Sequence, residues 1–230
     1  AIYPFRGVDY KAPPDEPVAG SEKVSRPLTE AQRNQVLRVL SNKGLIPLRP
    51  SHPSFPYLLR ILGYALGDGH ATLKPQSPHV AIWGRREDLE EIRRDVERVG
   101  FRASRVYVRT RHHVISKRRR SYEFDHEEAW FRINSSALTA LLHAMGLPIG
   151  NKAKQDFELP SWLLRLPLWQ KRLFLGALFG AEMSAPRAVT GHGYNLSPPT
   201  FTLTKREGFQ DSGRLLAKQI ARMLREFGVR

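Results

Sequence analysis

The sequence contains no cysteine, which excludes disulfide bonds and metal sites built from thiolates. It also lacks an apolar run of the roughly 20 residues that crossing a bilayer requires. Residues 1–20 carry prolines and charges where a secretory leader would have an apolar core. These absences predict a cytoplasmic protein that makes no contact with membranes.

Acidic residues are scarce relative to basic ones. The 230 residues include 37 Lys and Arg against 22 Asp and Glu, which gives a formal net charge of +15. An excess of this size predicts a polyanionic partner, above all nucleic acid. A chain of this length can form one large domain or two small ones with real cores.

Acids are missing altogether from residues 101–120, the most basic part of the chain. Cationic and apolar residues alternate around positions 106–115, which predicts a strand with one cationic and one apolar face. Residues 121–133 would return as its partner after a turn at 117–120. Such a hairpin can lie in a groove of nucleic acid, although a solvated sheet face has the same pattern. The residues predicted to bind nucleic acid here are Arg102, Arg105, Tyr107, Arg109, Arg111, Lys117, Arg118, Arg119 and Arg120.

Two apolar segments, both rich in small residues, each end in a single acid. Ile61–Gly69 reads ILGYALGDG and carries Asp68, and Leu175–Met183 reads LGALFGAEM and carries Glu182. Taken alone, the first is a buried helix whose acid begins a turn. Both segments are followed by a polar extended stretch and a helix, which indicates two similar units about a pseudo-twofold axis. Packed side by side, the two helices would bring both carboxylates to one end.

These segments resemble the LAGLIDADG motif of homing endonucleases, the second as a degenerate copy. The resemblance runs from about Leu58 to the C terminus and implies an α+β fold. That fold consists of two pseudo-twofold-related αββαββα units, the second without its last hairpin. The predicted domains are an extended proline-rich arm (1–27), a capping helix with a connector (28–57), the first unit (58–150), a linker (151–167) and the incomplete second unit (168–230).

The resemblance implies that Asp68 and Glu182 are catalytic and hold Mg²⁺ together. Magnesium prefers oxygen ligands, and bound divalent ions can activate water and neutralise a phosphoryl group during phosphodiester cleavage. The resemblance also implies an assisting basic residue near the helix ends, for which Lys205 is the candidate. We count Lys205 among the nucleic-acid-binding residues as well. His70, just beyond the first helix, could approach a phosphate or simply occupy a surface turn.

Two main functions are consistent with these features. The first is a LAGLIDADG-type endonuclease that cleaves duplex DNA with Mg²⁺. The second is a catalytically silent protein of the same fold that binds structured RNA, such as rRNA in a ribosomal particle. The degenerate second motif and the proline-rich arm favour the second hypothesis. A third reading is a protein-interaction module with incidental charge. Both main hypotheses treat the chain as a cytoplasmic monomer with an internal pseudo-dimer.

Overall fold

The computed structural model describes residues 10–117, 120–184, 187–189 and 192–229. Within these ranges the chain is α+β, with eight α-helices, a four-stranded antiparallel sheet and a two-stranded hairpin. The helices are α1 Ser21–Ser25, α2 Glu30–Asn42, α3 Phe55–Asp68, α4 Arg86–Arg98, α5 Ser136–Met145, α6 Ser161–Leu164, α7 Leu168–Glu182 and α8 Gln210–Glu226, with a 3-10 turn at Lys152–Lys154. The strands are β1 Gly69–Thr72, β2 His79–Gly84, β3 Tyr107–Lys117, β4 Arg120–Ile133, β5 Arg187–Val189 and β6 His192–Ser197.

The main sheet has the strand order β1-β2-β4-β3, and each neighbouring pair is antiparallel. Side chains alternate between its two faces. One face presents Val80, Ile82, Phe131 and Ile133, all fully buried in the core that includes α3 and α4. The opposite face carries the polar and aromatic residues of the hairpin. The pairing of β3 with β4 confirms the hairpin predicted from the sequence.

The face of β3 that the sequence predicts to be apolar is exposed both near the base of the β3–β4 hairpin and further out. Val108 is 43% exposed and Val114 is 55% exposed, although the sequence predicts an apolar face at these positions. Val108 lies opposite Ala129 on β4, whereas Val114 lies opposite the acid Glu123. The positions between them on this face of β4 are the acids Asp125 and Glu127. The prediction of an apolar face is therefore wrong for this part of the hairpin. The alternating pattern anticipates which residues share a face but not whether a helix covers that face.

Helices α3 and α7 pack directly against each other through residues without bulky side chains. A Cβ atom built on Gly67 would lie 2.7 Å from Ala181 Cβ and 2.9 Å from Glu182 Cγ. A Cβ on Gly63 would overlap the carbonyl oxygen of Phe174 and lie 3.2 Å from Ala177 Cβ. The two backbones can approach this closely only because both positions on α3 are glycine.

The described part of the N-terminal arm is more firmly packed than the sequence predicts. Val18, Ala19 and Val24 are buried in the core, and Ala19 forms a β-bridge with Leu48. The short helix α1 interrupts the predicted extended path. Apolar side chains at the end of the arm, rather than its prolines, determine its position. The predicted arm residues 1–9 lie outside the described ranges.

The second half of the chain contains the short β5–β6 hairpin, in which Val189 pairs with His192. On α8, Leu215 is 44% exposed, whereas its neighbour Leu216 is buried. The duplication of αββαββα units stays a prediction. Among the described residues, no helix has the length and apolar content needed to cross a bilayer.

The close helix contact predicts opposite effects for two glycine substitutions. Gly63→Ala should destabilise the protein, because overpacking against α7 costs about 1–3 kcal/mol. Gly176→Ala on α7 is the matched control, because a Cβ there meets no atom within 4 Å. This control should gain stability, by at most about 1 kcal/mol, from improved helix propensity. Urea unfolding of both variants measures the difference, and equal free energies of unfolding would contradict the packing described.

Candidate metal and nucleic-acid site

The acids predicted from the two apolar segments end neighbouring helices. Asp68 is the last residue of α3, and Glu182 is the last residue of α7. The contact between Gly67 and the Glu182 side chain places the stem of Glu182 beside the residue that precedes Asp68. Both acids are partly buried. The structure therefore brings the two predicted site residues to the same end of the helix pair.

The surroundings of Asp68 change the pKa of its carboxyl group. Burial, with a further contribution from the Glu182 charge, raises the pKa of Asp68 to about 6. The ammonium of Lys152 acts in the opposite direction and lowers the pKa of Asp68. Two carboxylates that repel each other in a partly buried site are stabilised by a bound cation. Asp68 and Glu182 are therefore the residues of this site that could hold a cation.

Lys152, which the sequence reasoning did not select, lies at the centre of this site. Its Nζ donates hydrogen bonds to the carbonyl oxygens of Leu66, at 2.7 Å, and of Gly67. These carbonyls belong to the last turn of α3, where helices leave acceptors unpaired and where cations are favoured. Burial lowers the pKa of Lys152, whereas the charges of Glu182 and Asp68 raise it. No local pattern in the sequence distinguishes this lysine from Lys154, the other lysine of the linker.

Lys205 makes contacts that the sequence did not predict. Its Nζ donates to the carbonyl oxygens of Lys152, at 3.0 Å, and Gln155, at 2.7 Å. The same ammonium lies 4.1 Å from the centre of the Phe157 ring. Burial lowers the pKa of Lys205. Its amino group is thus committed to the turn that carries Lys152 rather than presented to a phosphate.

The acid pair lies between two clefts. Asp68 lines a cleft of about 500 Å³ together with Trp83, His126 and Glu128 from the sheet. Glu182 lines a second cleft of about 420 Å³. The other polar side chains of this cleft are those of His70, Asn151, Lys152, Thr202, Thr204 and Lys205. His70 thus faces the site, and burial together with its cationic neighbours lowers its pKa.

The predicted cationic face of the hairpin is partly neutralised. Arg109 donates to Glu128 Oε2 from Nε at 2.8 Å and from Nη2 at 2.6 Å. Arg111 Nε lies 3.2 Å from the same oxygen. The sequence reasoning missed this pairing because Glu128 lies on β4, outside the acid-free stretch. Exposed pairs of this kind contribute little to stability, but they reduce the positive charge available for a phosphate.

The base of the hairpin combines free cationic and aromatic surface. Arg102 and Arg105 are exposed, and the Arg105 guanidinium lies 5.3 Å from the centre of the Tyr107 ring. Tyr107 in turn stacks on Trp130, with ring centres 5.6 Å apart. Of the remaining predicted contacts, Arg118 and Arg119 lie outside the described residues, as do the side chains of Lys117 and Arg120.

The donor set suits a hard divalent cation, with water supplying the missing ligands. In the described ranges, no group of three or more His, Asp or Glu side chains could hold a metal ion. Two carboxylates alone match magnesium, which usually keeps several waters and binds through one or two carboxylates plus phosphate oxygens. A transition-metal site built from histidines is not present in this part of the chain.

Comparison with known proteins gives relatives over the full length of this chain. It is 34% identical to a tRNA-splicing ligase RtcB from Methanopyrus kandleri over 232 residues, covering 99% of this chain and 22% of the relative. The corresponding protein from Pyrococcus furiosus is also 34% identical, with 100% of this chain and 23% of the relative covered. A third relative, the DNA-directed RNA polymerase subunit Rpo1N of Methanocaldococcus jannaschii, is 28% identical over 209 residues, covering 90% of this chain and 15% of the relative. No family model matches the chain.

These relatives correct the family and functions predicted from the sequence. None of the three is named as a LAGLIDADG homing endonuclease or as a ribosome-associated protein. On this comparison the LAGLIDADG assignment is wrong, and so are the homing endonuclease and rRNA-binding functions built on it. The physical reason for the wrong assignment is that closely packed helix pairs ending at a polar site also have small residues in their contact and an acid at the helix end, whatever their family. The chain spans under a quarter of the length of these relatives.

The raised pKa of Asp68 predicts a pH-dependent effect of Asp68→Asn. Folded Asp68 holds its proton up to about pH 6, whereas an unfolded aspartate loses it near pH 4. Ionisation of Asp68 therefore costs stability as pH rises through this window. Asp68→Asn should stabilise the metal-free protein at pH 7.5 and have little effect at pH 4. Urea unfolding in EDTA measures this difference, and an equal effect at both pH values would contradict it.

Proposed function

We propose that this chain binds nucleic acid and holds Mg²⁺ between Asp68 and Glu182 for phosphoryl-transfer chemistry at a backbone phosphate. The observation that carries the proposal is the convergence of the two acids at the paired ends of α3 and α7. The proposal takes a monomer as the functional unit and the cytoplasm as its location. DNA and RNA both offer this site a backbone phosphate. Binding affinities for duplex DNA, duplex RNA and single strands distinguish the two partners.

The charge distribution supports a nucleic-acid partner. The chain has a formal net charge of +15. Arg102 and Arg105 are exposed, and Arg105 lies against Tyr107, which stacks on Trp130 at the base of the hairpin. Cations with neighbouring aromatic rings are typical of surfaces that bind nucleic-acid backbones and bases. Trp83 and Glu128 from the same sheet line the Asp68 cleft. A strand bound along the hairpin base would therefore pass close to the acid pair.

The names of the relatives also support this partner class. They refer to tRNA splicing and to DNA-directed RNA synthesis, so each name concerns nucleic acid. The same stretch of sequence matches two differently named proteins and makes up under a quarter of each. We infer that this stretch is a shared unit, separate from the activity for which each whole protein is named.

Each residue of the site would have a distinct task in such a reaction. Asp68 and Glu182 would hold Mg²⁺, which when bound supplies charge neutralisation at the phosphoryl oxygens and an activated water. Lys152 keeps the last turn of α3 in place through the Leu66 and Gly67 carbonyls. Arg102 and Arg105 would position the backbone through neighbouring phosphates, and their long side chains would adapt to its path.

Binding should be strongly salt-dependent and should rely on the base of the hairpin. With about 6–10 phosphate contacts, affinity should fall roughly 10³–10⁵-fold between 50 and 200 mM salt. The variant Arg102→Gln/Arg105→Gln should reduce the slope of log affinity against log salt by about two. Fluorescence anisotropy with labelled duplex DNA, duplex RNA and single strands measures affinity and partner preference.

The matched control for binding is Arg33→Gln/Arg38→Gln, which removes the same charge from exposed positions on α2. It should leave the salt slope nearly unchanged. Equal slopes for the two double variants would show that the hairpin base does not contact phosphates. Affinity that does not respond to salt would exclude the nucleic-acid surface altogether.

The reaction itself should require both acids. With Mg²⁺ present, a hydroxyl should attack a backbone phosphodiester bound at the site and displace the adjoining strand oxygen, which leaves as a hydroxyl, so the wild-type protein should change the length of end-labelled strands. Asp68→Asn/Glu182→Gln should abolish this change while leaving strand binding nearly intact, because the variant removes only metal ligands. Denaturing gels measure strand length. Unaltered strands with the wild type, or equal reaction by the variant, would refute phosphoryl transfer at this site.

A further inference from the structure

The site contains a cation of its own. The Lys152 ammonium is bonded to the Leu66 and Gly67 carbonyls, two residues and one residue before Asp68. Lys152 also lines the same cleft as Glu182. A positive charge fixed beside two carboxylates satisfies the same electrostatic need as a metal ion. In this position it must also oppose the entry of a divalent cation.

A second lysine fixes the backbone that carries the first. Lys205 Nζ donates to the Lys152 and Gln155 carbonyls, and the backbone N–H of Arg206 donates to Ala153 at 2.9 Å. The stem of Lys205 is held as well, because a Cβ on Gly213 of α8 would lie 2.9 Å from Lys205 Cγ. Three carbonyls of the 152–155 turn thus accept bonds from the segment that precedes α8.

The turn is also braced from its own side. Asn151 Oδ1 accepts from Ala153 N at 2.9 Å, and Gln155 Nε2 donates to the Ile149 and Asn151 carbonyls. The backbone N–H of Gly150 donates a hydrogen bond to the carbonyl oxygen of Ala71 in β1. A turn with so many fixed points holds the Lys152 side chain in one direction, towards the end of α3. Neither lysine is therefore an adaptable surface cation.

We infer that Lys152 is a resident counter-ion that neutralises the acid pair and competes with Mg²⁺ for it, and that Lys205 is the positioning residue that places Lys152 there. This inference rests on the proposed function, because it takes Asp68 and Glu182 as the metal ligands. Lys205 acts on the metal only through the 152–155 turn. The lysine pair would keep the site intact without metal and set the concentration at which Mg²⁺ binds.

Titration calorimetry with MgCl₂ tests the counter-ion. Lys152→Met should tighten Mg²⁺ binding about tenfold, since one positive charge near the ion is removed. Lys154→Met is the matched control, because it removes the same charge from an exposed position of the same 3-10 turn. The control should change the affinity little. An unchanged or weakened affinity in Lys152→Met, or an equal gain in the control, would overturn the inference.

A double-variant cycle tests the positioning role of Lys205. Lys205→Met should tighten Mg²⁺ binding in the wild-type background, by less than Lys152→Met, and should have no effect in the Lys152→Met background. A merely structural role would lower the melting temperature without moving the Mg²⁺ affinity. Equal effects of Lys205→Met in both backgrounds would show that Lys205 does not act through Lys152.

A metal-free measurement separates this inference from the proposed function. In EDTA, Lys205→Met should lower the melting temperature less in the Lys152→Met background than in the wild type, because the bond network is already broken there. If the wild type binds no Mg²⁺, the proposed function fails, and this cycle still decides whether the two lysines are coupled. Additive melting-temperature changes would reject the coupling.

Discussion

The contact between α3 and α7 is the constraint on which the rest of the site depends. Gly63 and Gly67 present bare backbone to α7, and the Glu182 stem lies against the second of them. No side chain larger than hydrogen fits at either position without moving a helix. Because α3 and α7 pack side by side up to their last residues, Asp68 and Glu182 lie at the same end of the helix pair. The main sheet packs against α3 through β1 and β2. The acid pair therefore keeps a fixed position relative to the outer face of the sheet.

Such a contact has an electrostatic consequence. Two carboxylates at the ends of adjacent helices meet the negative ends of both helix dipoles, and partial burial adds to the cost of their charge. The chain offsets this cost with Lys152, whose ammonium binds the carbonyls of the last turn of α3. The network continues through Lys205 to α8, so residues distant in sequence maintain the charge balance of one small site.

Sequence reasoning located the helices and acids because each is a local pattern. An apolar run with small residues and a terminal acid predicts the ends of α3 and α7, and alternation predicts β3 and β4. It did not find Lys152, because the partners of this lysine are carbonyls about 85 residues away in the chain. The pairing of Arg109 with Glu128 was missed for a similar reason, since cross-strand neighbours depend on register. Family resemblance on a nine-residue motif was corrected by relatives matched over the whole chain.

A crystal structure of the protein soaked with Mn²⁺, located by its anomalous signal, tests the central claim most directly. Manganese accepts the same oxygen ligands as magnesium. The account predicts one ion at the paired ends of α3 and α7, with a carboxylate oxygen from each of Asp68 and Glu182 about 2.0–2.6 Å away. An ion bound only elsewhere, or the two carboxylates turned into their separate clefts with no shared ion, would contradict it.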